Sequence, residues 1–358
     1  MRVYNFSAGP SMLPLEVIEK VQKALPNYEN TGMSVMEMSH RSKPYEAINA
    51  KAEELLRELM EIPEDYAVIF IQGGASTQFE AIPLNLCSNK KADYVITGIF
   101  SEKAYKEAQK FTTANIIATS KDKNFSYIPK VDTNSITKDA DYLHICYNNT
   151  IVGTRFRQPP NMEKIPLVAD MSSMILSEGI DISKFGVIYA GAQKNLAPAG
   201  VTIVIVKKEL VKNPSPLCPT MLAWKTQIEQ NSLYNTPPAF STYVAMEVMQ
   251  WLKNLGGIRA IQKINEEKAG LLYDFIDNSK FYNNNVEKEF RSLMNVPFVA
   301  PSEELDNKFV TEAGKNGLLT LKGHRLVGGM RASIYNAMPI DGVKTLINFM
   351  KKFEKENK

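Results

Sequence analysis

Residues 165–195 read IPLVADMSSMILSEGIDISKFGVIYAGAQKN, and this stretch carries the fold prediction. A short apolar run at 167–169 ends in Asp170, and a second run at 185–189 is followed by small residues and Lys194. Each run has the length of a strand and is closed by turn residues, which is typical of buried parallel strands. Ligands of open α/β sheets bind outside the carboxyl ends of the strands, so the acid and the lysine both fall where a ligand is expected.

An aspartate and a lysine on neighbouring strands suit the cofactor pyridoxal 5'-phosphate (PLP). The Lys194 amine can form a Schiff base with the cofactor aldehyde, and the Asp170 carboxylate can keep the pyridine nitrogen protonated as an electron sink. These two residues alone leave an alternative open. Lysine side chains are mostly exposed, so Lys194 could also be a surface residue in a strand-to-loop turn.

The composition narrows the class of protein. The chain has 358 residues, of which 44% are hydrophobic and 23% charged, with a net charge of +3. Charges of both signs are interspersed, which does not favour a nucleic-acid or membrane partner. The three cysteines are far apart and form no CxxC pair, so we predict reduced thiols, no metal site and a cytoplasmic location. No apolar run approaches the roughly 20 residues that cross a bilayer.

The pattern along the chain predicts an α/β fold. Between residues 66 and 206, strand-like runs alternate with helical ones, which indicates a mainly parallel sheet with helices on both faces. The run VTIVIVK follows Lys194 after a turn too short for a crossover helix, so we expect it to be antiparallel to its neighbour. The seven predicted strands are 67–71, 94–97, 115–119, 142–147, 167–170, 187–190 and 201–207.

The length fits roughly two domains. We predict an N-terminal arm at 1–15, a large PLP-binding domain at 16–255 and a small C-terminal α+β domain at 256–358. Residues 213–240 are rich in Pro, Ser, Thr and Asn and lack a period, so we expect a long functional loop rather than a helix. Residues 31–41 are expected to form an exposed loop or arm.

A glycine pair follows the first predicted strand of the sheet. Gly73 and Gly74 stand between that strand and an apolar helix that begins near Thr77. The backbone N–H groups of Ala75 and Ser76 would then point at an anion, and the helix N-terminus would add partial positive charge. The alternative is a plain tight turn, for which glycine is the usual residue.

Two further residues follow predicted strands at their carboxyl ends. Phe100 could stack on a pyridine ring, although aromatic side chains also dominate protein cores. Thr150 could hydrogen-bond the cofactor's ring hydroxyl, although threonine is also common in simple turns.

The chain has only three histidines, and two of them precede an arginine. The pairs His40-Arg41 and His324-Arg325 suit a phosphate or a carboxylate. Arg331 stands in an apolar, strand-like run and is expected to pair with a buried carboxylate from the protein or from a substrate. A structural salt bridge is the alternative for each arginine. The third histidine, His144, lies within a predicted strand and is expected to be a satisfied core residue.

Five longer motifs are spread over the chain. They are NFSAGPSMLP, SVMEMSHR, FIQGGASTQF, AGAQKN and KGHRLVGGMRASIYNAMP. Together they resemble the phosphoserine aminotransferases, which are class V aminotransferases of PLP fold type I, and the resemblance spans Asn5 to about Phe349. It implies a homodimer with shared active sites that uses L-glutamate and 3-phosphohydroxypyruvate.

The resemblance also implies roles for individual residues. Lys194 would carry the cofactor, Asp170 would contact its ring nitrogen, and Arg331 would bind the substrate α-carboxylate. The further cofactor contacts it implies are Ala75, Ser76, Phe100, Thr150 and Gln193, with Asn235 and Thr236 of the partner subunit. The residues implied for the distal anion of the substrate are His40, Arg41, His324 and Arg325, some of them across the dimer interface. Phe100 departs from the family, which usually has tryptophan there, so we expect weaker binding of the cofactor.

Three alternatives stay open at this point. An alanine–glyoxylate-type class V aminotransferase would share Lys194 and Asp170 but would not need two His-Arg pairs. A cysteine desulfurase would need a cysteine in a mobile loop, for which Cys218 is the nearest candidate. A non-catalytic PLP-binding sensor would usually carry an added DNA-binding helix-turn-helix, and the sequence has no basic module of that kind.

Overall fold

The computed structural model describes residues 2–358. A mainly parallel sheet, a smaller C-terminal unit and a short N-terminal arm make up the chain. The strands are β1 (Tyr4–Asn5), β2 (Tyr66–Ile71), β3 (Lys91–Ile96), β4 (Thr113–Thr119), β5 (Leu143–Cys146), β6 (Leu167–Asp170), β7 (Val187–Gly191), β8 (Thr202–Lys207), β9 (Asn295–Phe298), β10 (Leu318–Leu319) and β11 (Met330–Ser333).

Helices cover the sheet and form most of the C-terminal unit. They are α1 (Leu15–Ala24), α2 (Lys43–Met60), α3 (Gly74–Leu86), α4 (Ile99–Ala108), α5 (Trp224–Glu229), α6 (Ala239–Asn254), α7 (Gly257–Asn278), α8 (Glu303–Lys315) and α9 (Ile340–Asn357). Within residues 2–358, none of these helices has the length and apolar character that crossing a bilayer requires.

The central sheet has seven strands in the order β2-β8-β7-β6-β5-β3-β4. Strand β8 is antiparallel to both of its neighbours, and every other neighbouring pair is parallel. This confirms the predicted sheet and the predicted direction of residues 201–207. Because β2 and β7 both run opposite to β8, they share the direction of β3, β5 and β6. The carboxyl ends of these five strands therefore meet at one edge.

Strand β7 shows why the central strands read as nearly continuous apolar runs. Ile188 and Ala190 join the core beneath α2 and α6, whereas Val187 and Tyr189 join the core beneath α3 and α4. A strand buried on both faces needs apolar residues at every position. The edge strand β4 is half exposed, so it carries more polar residues.

A third core lies in the C-terminal unit, where β9 pairs antiparallel with β11 and α7, α8 and α9 pack around them. Phe6 of the N-terminal arm is buried in this core, and β1 pairs in parallel with β10. The arm is thus held by the last third of the chain. The boundaries of the arm and of the two domains stay a prediction.

Two sequence predictions about segments need correction. Residues 213–240 are not all loop, since α5 and the start of α6 lie within them. The six-residue helix α5 is too short to show a period, and it is anchored by Trp224, whose Nε1 donates to Gln78 Oε1 at 3.1 Å. Residues 31–41 are not fully exposed, because Val35 and Met38 are buried in the main core.

Candidate active site

Lys194 lies just beyond the carboxyl end of β7, and its side chain points into the protein. The residue is 9% exposed, and Nζ donates to Thr150 Oγ1 at 2.7 Å. Burial lowers the pKa of Lys194, while the nearby Asp170 carboxylate acts in the opposite direction. Lys194 is therefore not a surface residue in an exposed turn, which was the alternative left open by the sequence.

Asp170 ends β6, the strand next to β7, and is 6% exposed. Its Oδ1 accepts two hydrogen bonds from Ser172, from the backbone N at 2.9 Å and from Oγ at 2.6 Å. Its Oδ2 accepts no hydrogen bond from any residue of 2–358, and no salt bridge joins Asp170 to Lys194 within that range. One carboxylate oxygen is thus left available for a ligand, and Asp170 lies near enough to Lys194 to act on it electrostatically.

An aromatic ring lies beside the amine. Lys194 Nζ lies 5.3 Å from the centroid of the Phe100 ring, in the first turn of α4. Gly98 precedes this turn, and a Cβ there would lie 2.7 Å from Asn149 Oδ1. Because Asn149 adjoins Thr150, only glycine lets these two strand ends approach so closely. The amine, the ring and the available carboxylate oxygen together fit a planar aromatic aldehyde.

The glycine pair forms the start of α3 at the carboxyl end of β2. Gly73 and Gly74 have φ values of 100° and 72°, a region that favours glycine. Thr77 Oγ1 donates to Gly73 O at 2.7 Å, so this hydroxyl is engaged within the turn. The backbone N–H groups of Ala75 and Ser76 stand in the first helical turn, where no intrahelical acceptor is available. The turn thus has the donors that a phosphate group requires.

Arg331 lies in β11 and has no carboxylate partner among residues 2–358. Its Nε is buried without a hydrogen-bond partner, and burial lowers the pKa of its guanidinium. The sequence predicted a carboxylate from the protein or from a substrate, and the described residues supply none. Arg331 also acts electrostatically on Lys194. The strand therefore presents an unpaired cation on the side of the lysine.

His324 lies in the loop between β10 and β11. Burial lowers its pKa, and the positive charges of Arg331, Arg325 and Lys103 lower it further. Lys103 is exposed on α4, and its Nζ lies 5.5 Å from the Phe100 ring centroid. The sequence did not single out Lys103, because an exposed lysine on a helix carries no distinguishing pattern.

Four of the predicted site residues are not brought to this cluster within the chain. His40 Nε2 is buried without a partner, and Arg41 is exposed. Asn235 and Thr236 are exposed, and their hydrogen bonds go to Gln72 and to each other, with Asn235 Nδ2 at 3.5 Å from both Gln72 Oε1 and Thr236 O. No hydrogen bond or salt bridge of the described residues joins any of the four to Lys194.

The N-terminal arm is a part of the site that the sequence reasoning missed. Ser11 N donates to Gln193 O at 2.9 Å, and Ser11 Oγ donates to the carbonyl of Lys194. Gly9 has a φ of 144°, and a Cβ there would lie 3.4 Å from both Gln193 Cγ and Lys194 Cγ. The arm thus lies directly on the Gln193-Lys194 turn. The Gly-Pro-Ser of the motif SAGPSM was the signal that could have identified it.

His144 is a core residue, as expected. Its Nε2 lies 2.8 Å from Tyr189 OH, and its ring stacks on Tyr94 at a centroid distance of 4.9 Å. Burial lowers its pKa to about 3, so the ring is neutral. Its Nδ1 has no partner, which makes it only partly satisfied.

The sequence pattern of the family described as Aminotransferase class-V matches residues 3–346. The fold and the match together make the chain a class V aminotransferase, and pyridoxal 5'-phosphate is its cofactor.

The similar proteins define the family more narrowly. A phosphoserine aminotransferase of Bacillus cereus is 58% identical over 358 residues, which covers 100% of this chain and 99% of that protein. The solved phosphoserine aminotransferase of Bacillus circulans subsp. alkalophilus has a TM-score of 0.97 at 46% identity, covering 100% of this chain and 99% of that one. A PLP-bound phosphoserine aminotransferase of Trichomonas vaginalis has a TM-score of 0.93 at 40% identity, covering 98% and 100%. The chain belongs to the phosphoserine aminotransferases.

Proposed function

We propose that the chain transfers the amino group of L-glutamate to 3-phosphohydroxypyruvate, giving O-phospho-L-serine and 2-oxoglutarate. The observation that carries this proposal is the guanidinium of Arg331, which is partly buried beside Lys194 and has no carboxylate partner among residues 2–358. Burying a cation without a partner raises the free energy of the protein, so we expect a bound anion to pair with Arg331. L-Glutamate and 3-phosphohydroxypyruvate each carry a carboxylate on the carbon next to the one that exchanges the amino group.

The residues at the sheet edge fit the cofactor. Lys194 would hold it covalently, Asp170 Oδ2 would face its ring nitrogen, and Thr150 would contact its ring hydroxyl. When bound, the cofactor supplies an electron sink that allows the α-proton of an amino acid to leave. The residues proposed for the ring face and the phosphate are Phe100, Ala75, Ser76 and Gln193.

Lys194 is proposed to move the proton. Its pKa is lowered by burial, so more of the amine is free base at neutral pH than for an exposed lysine. Nζ would accept the proton from the substrate α-carbon and later return one, acting first as general base and then as general acid. The Thr150 hydroxyl, at 2.7 Å, is a neutral partner that can orient the amine in either protonation state.

The cations around Arg331 are proposed to select the substrate. Arg331 would bind the α-carboxylate, and His324 with Arg325 would bind the distal phosphate or side-chain carboxylate. Guanidinium groups bind both kinds of anion through paired hydrogen bonds. An alanine–glyoxylate-type enzyme would have no distal anion to bind, so this cluster favours the phosphorylated substrate.

A homodimer with shared active sites is part of the proposal. Within the chain, His40, Arg41, Asn235 and Thr236 make no hydrogen bond to the Lys194 site, and three of them are exposed. We propose that each subunit supplies some of them to the site of its partner.

Two further predictions complete the proposed organisation. We propose the division into an arm at 1–15, a large domain at 16–255 and a small domain at 256–358, and the separate core of the C-terminal unit supports the small domain. The cytoplasmic location stays a prediction.

The test follows the bound cofactor and the substrates separately. The purified protein is expected to show a visible absorption band, and O-phospho-L-serine should remove it, whereas L-serine or L-alanine should do so far more slowly. Lys194→Ala should abolish both the band and turnover. Turnover by that variant, or equal rates with alanine and glyoxylate, would contradict the proposal. A protein that holds the cofactor without any turnover would be a non-catalytic binder.

A further inference from the structure

Ser172 joins the ends of two neighbouring strands at the candidate site. Its backbone N and its Oγ both donate to Asp170 Oδ1, at 2.9 and 2.6 Å. The same Oγ accepts a hydrogen bond from Gly191 N at 3.1 Å, at the end of β7. Because a hydroxyl has one proton and the Gly191 N–H donates to it, the Ser172 proton is directed to the carboxylate.

The Ser172–Asp170 contact is buried, and it leaves the second carboxylate oxygen, Oδ2, without a donor from the described residues. Ser172 is 4% exposed and Asp170 is 6% exposed, so water competes little for these bonds. Both donors reach Oδ1, and within residues 2–358 no donor reaches Oδ2. The carboxylate is therefore held through one oxygen, and the other oxygen remains free to accept a hydrogen bond from a ligand.

The same two contacts, from the N and the Oγ of a serine to the carboxylate two residues before it, occur at a second, exposed place. Ser183 N and Oγ donate to Asp181 Oδ1 at 3.0 and 2.6 Å, where they begin a short 3-10 helix. There the Ser183 hydroxyl lowers the pKa of the Asp181 carboxyl, since donation to a carboxylate favours its charged form. The exposed pair therefore provides a matched control for the buried pair Asp170 and Ser172.

We propose that Ser172 is a positioning residue that orients the Asp170 carboxylate toward the ring nitrogen of the cofactor. The inference rests on the proposed role of Asp170 and adds to it the group that acts through it. Loss of the hydroxyl would leave the Gly191 N–H without an acceptor and Oδ1 with a single donor. Outer-shell partners of this kind change ligand affinity by roughly 10-fold or more when removed, as measured for metal sites.

The test compares two ligands that differ only at the ring nitrogen. The dissociation constants of the apoenzyme are measured for PLP and for an analogue in which a ring CH replaces that nitrogen. Ser172→Ala should weaken PLP binding roughly 10-fold and leave the affinity for the analogue unchanged. Ser172→Thr, which keeps a hydroxyl, should restore most of the affinity for PLP. Ser183→Ala removes the equivalent hydroxyl in the exposed turn and should change neither constant.

Each outcome decides the question. Equal weakening for both ligands, or none for PLP, overturns the proposal and leaves Ser172 a structural residue. If Ser172→Ala does not fold, Ser172→Cys keeps the volume with a much weaker donor, and its comparison with Ser172→Thr decides instead. The variant Asp170→Asn distinguishes a failure of this inference from a failure of the proposed role of Asp170. If Asp170→Asn weakens the binding of PLP more than that of the analogue and Ser172→Ala does not, only this inference fails. If Asp170→Asn weakens the binding of both ligands equally, the proposed role of Asp170 fails as well.

Discussion

Lys194 Nζ donates a hydrogen bond of 2.7 Å to Thr150 Oγ1, which joins the loop after β7 to the loop after β5. The amine is thus held inside the protein by a neutral hydroxyl, and no carboxylate of the described residues forms an ion pair with it. A carboxylate at contact distance would favour the ammonium form, whereas burial favours the free amine. Burial therefore shifts the amine toward its uncharged, nucleophilic form.

The pH dependence of cofactor uptake follows from this contact. Burial lowers the pKa of Lys194 from 10.5, so the apoenzyme should capture PLP with a rate that rises with pH and levels off below pH 10.5. The rate rises with pH because the uncharged amine attacks the aldehyde, and burial disfavours the charged form of Lys194. The measurement is the rate at which the visible band appears in stopped flow from pH 6 to 11. A midpoint at or above 10.5 would show that burial does not lower this pKa.

Phe100→Trp should strengthen the binding of the cofactor. An indole offers more area than a phenyl ring, and aromatic pairs contribute about 0.5–1.5 kcal/mol beyond burial. The dissociation constant for PLP is therefore expected to fall several-fold, while Phe100→Leu should raise it. The apoenzyme's unfolding midpoint serves as the control. Unchanged affinity in both variants would mean that the ring of Phe100 does not lie against the cofactor.

Arg331→Met should weaken substrate binding without lowering the free energy of unfolding. Loss of one partner of a buried charge pair costs roughly 2–5 kcal/mol of binding, so KM for L-glutamate should rise about thirtyfold or more. The folded apoenzyme should not suffer, because Arg331 has no carboxylate partner among residues 2–358. Urea unfolding and steady-state kinetics give the two quantities.

Arg155→Met is the matched control for this arginine. Arg155 forms a salt bridge with Glu178, and their side chains are 13% and 14% exposed. Its removal leaves the carboxylate without its partner, so this variant should lower the free energy of unfolding. If Arg331→Met is destabilised as strongly as Arg155→Met, Arg331 has a structural role that the contacts do not show.

Lys268 should be essential for stability. It is fully buried in α7, and its Nζ donates to the carbonyls of Ile334, Tyr335, Asn336 and Met338 at 2.8–3.5 Å. Lys268→Met leaves these acceptors unsatisfied, which should cost roughly 3 kcal/mol. Lys263→Met, an exposed lysine on the same helix, should change the free energy of unfolding by less than about 0.5 kcal/mol. Equal urea midpoints for the two variants would refute this role.

Much of the sheet could be predicted because a buried strand appears in the sequence as a short, continuous apolar run. The runs ending at Asp170 and Ile71 are apolar at nearly every position, and the short turn after Lys194 correctly gave the antiparallel direction of β8. The helix α5 could not be predicted, since six residues are too few for a period and a single buried tryptophan anchors it.

The site was only partly predictable for a related reason. A lysine and an aspartate at strand ends are visible in a sequence, because strand ends are visible. The contact of Ser172 with Gly191 joins residues 19 positions apart and leaves no pattern, and Ser11 was marked only by the motif SAGPSM. The pKa values of Lys194 and Arg331 are lowered by burial, and burial is known only from the folded structure.

The pairing of β1 with β10 has a consequence for the order in which the molecule is completed. During synthesis the first residues must wait for nearly the whole polypeptide before their partner strand leaves the ribosome. Ser11, which contacts the Lys194 turn, follows directly after that strand. A chain synthesised only as far as α6 contains all seven strands of the sheet but not β10, so its arm cannot yet close on the Lys194 turn, and PLP capture should belong to the finished protein.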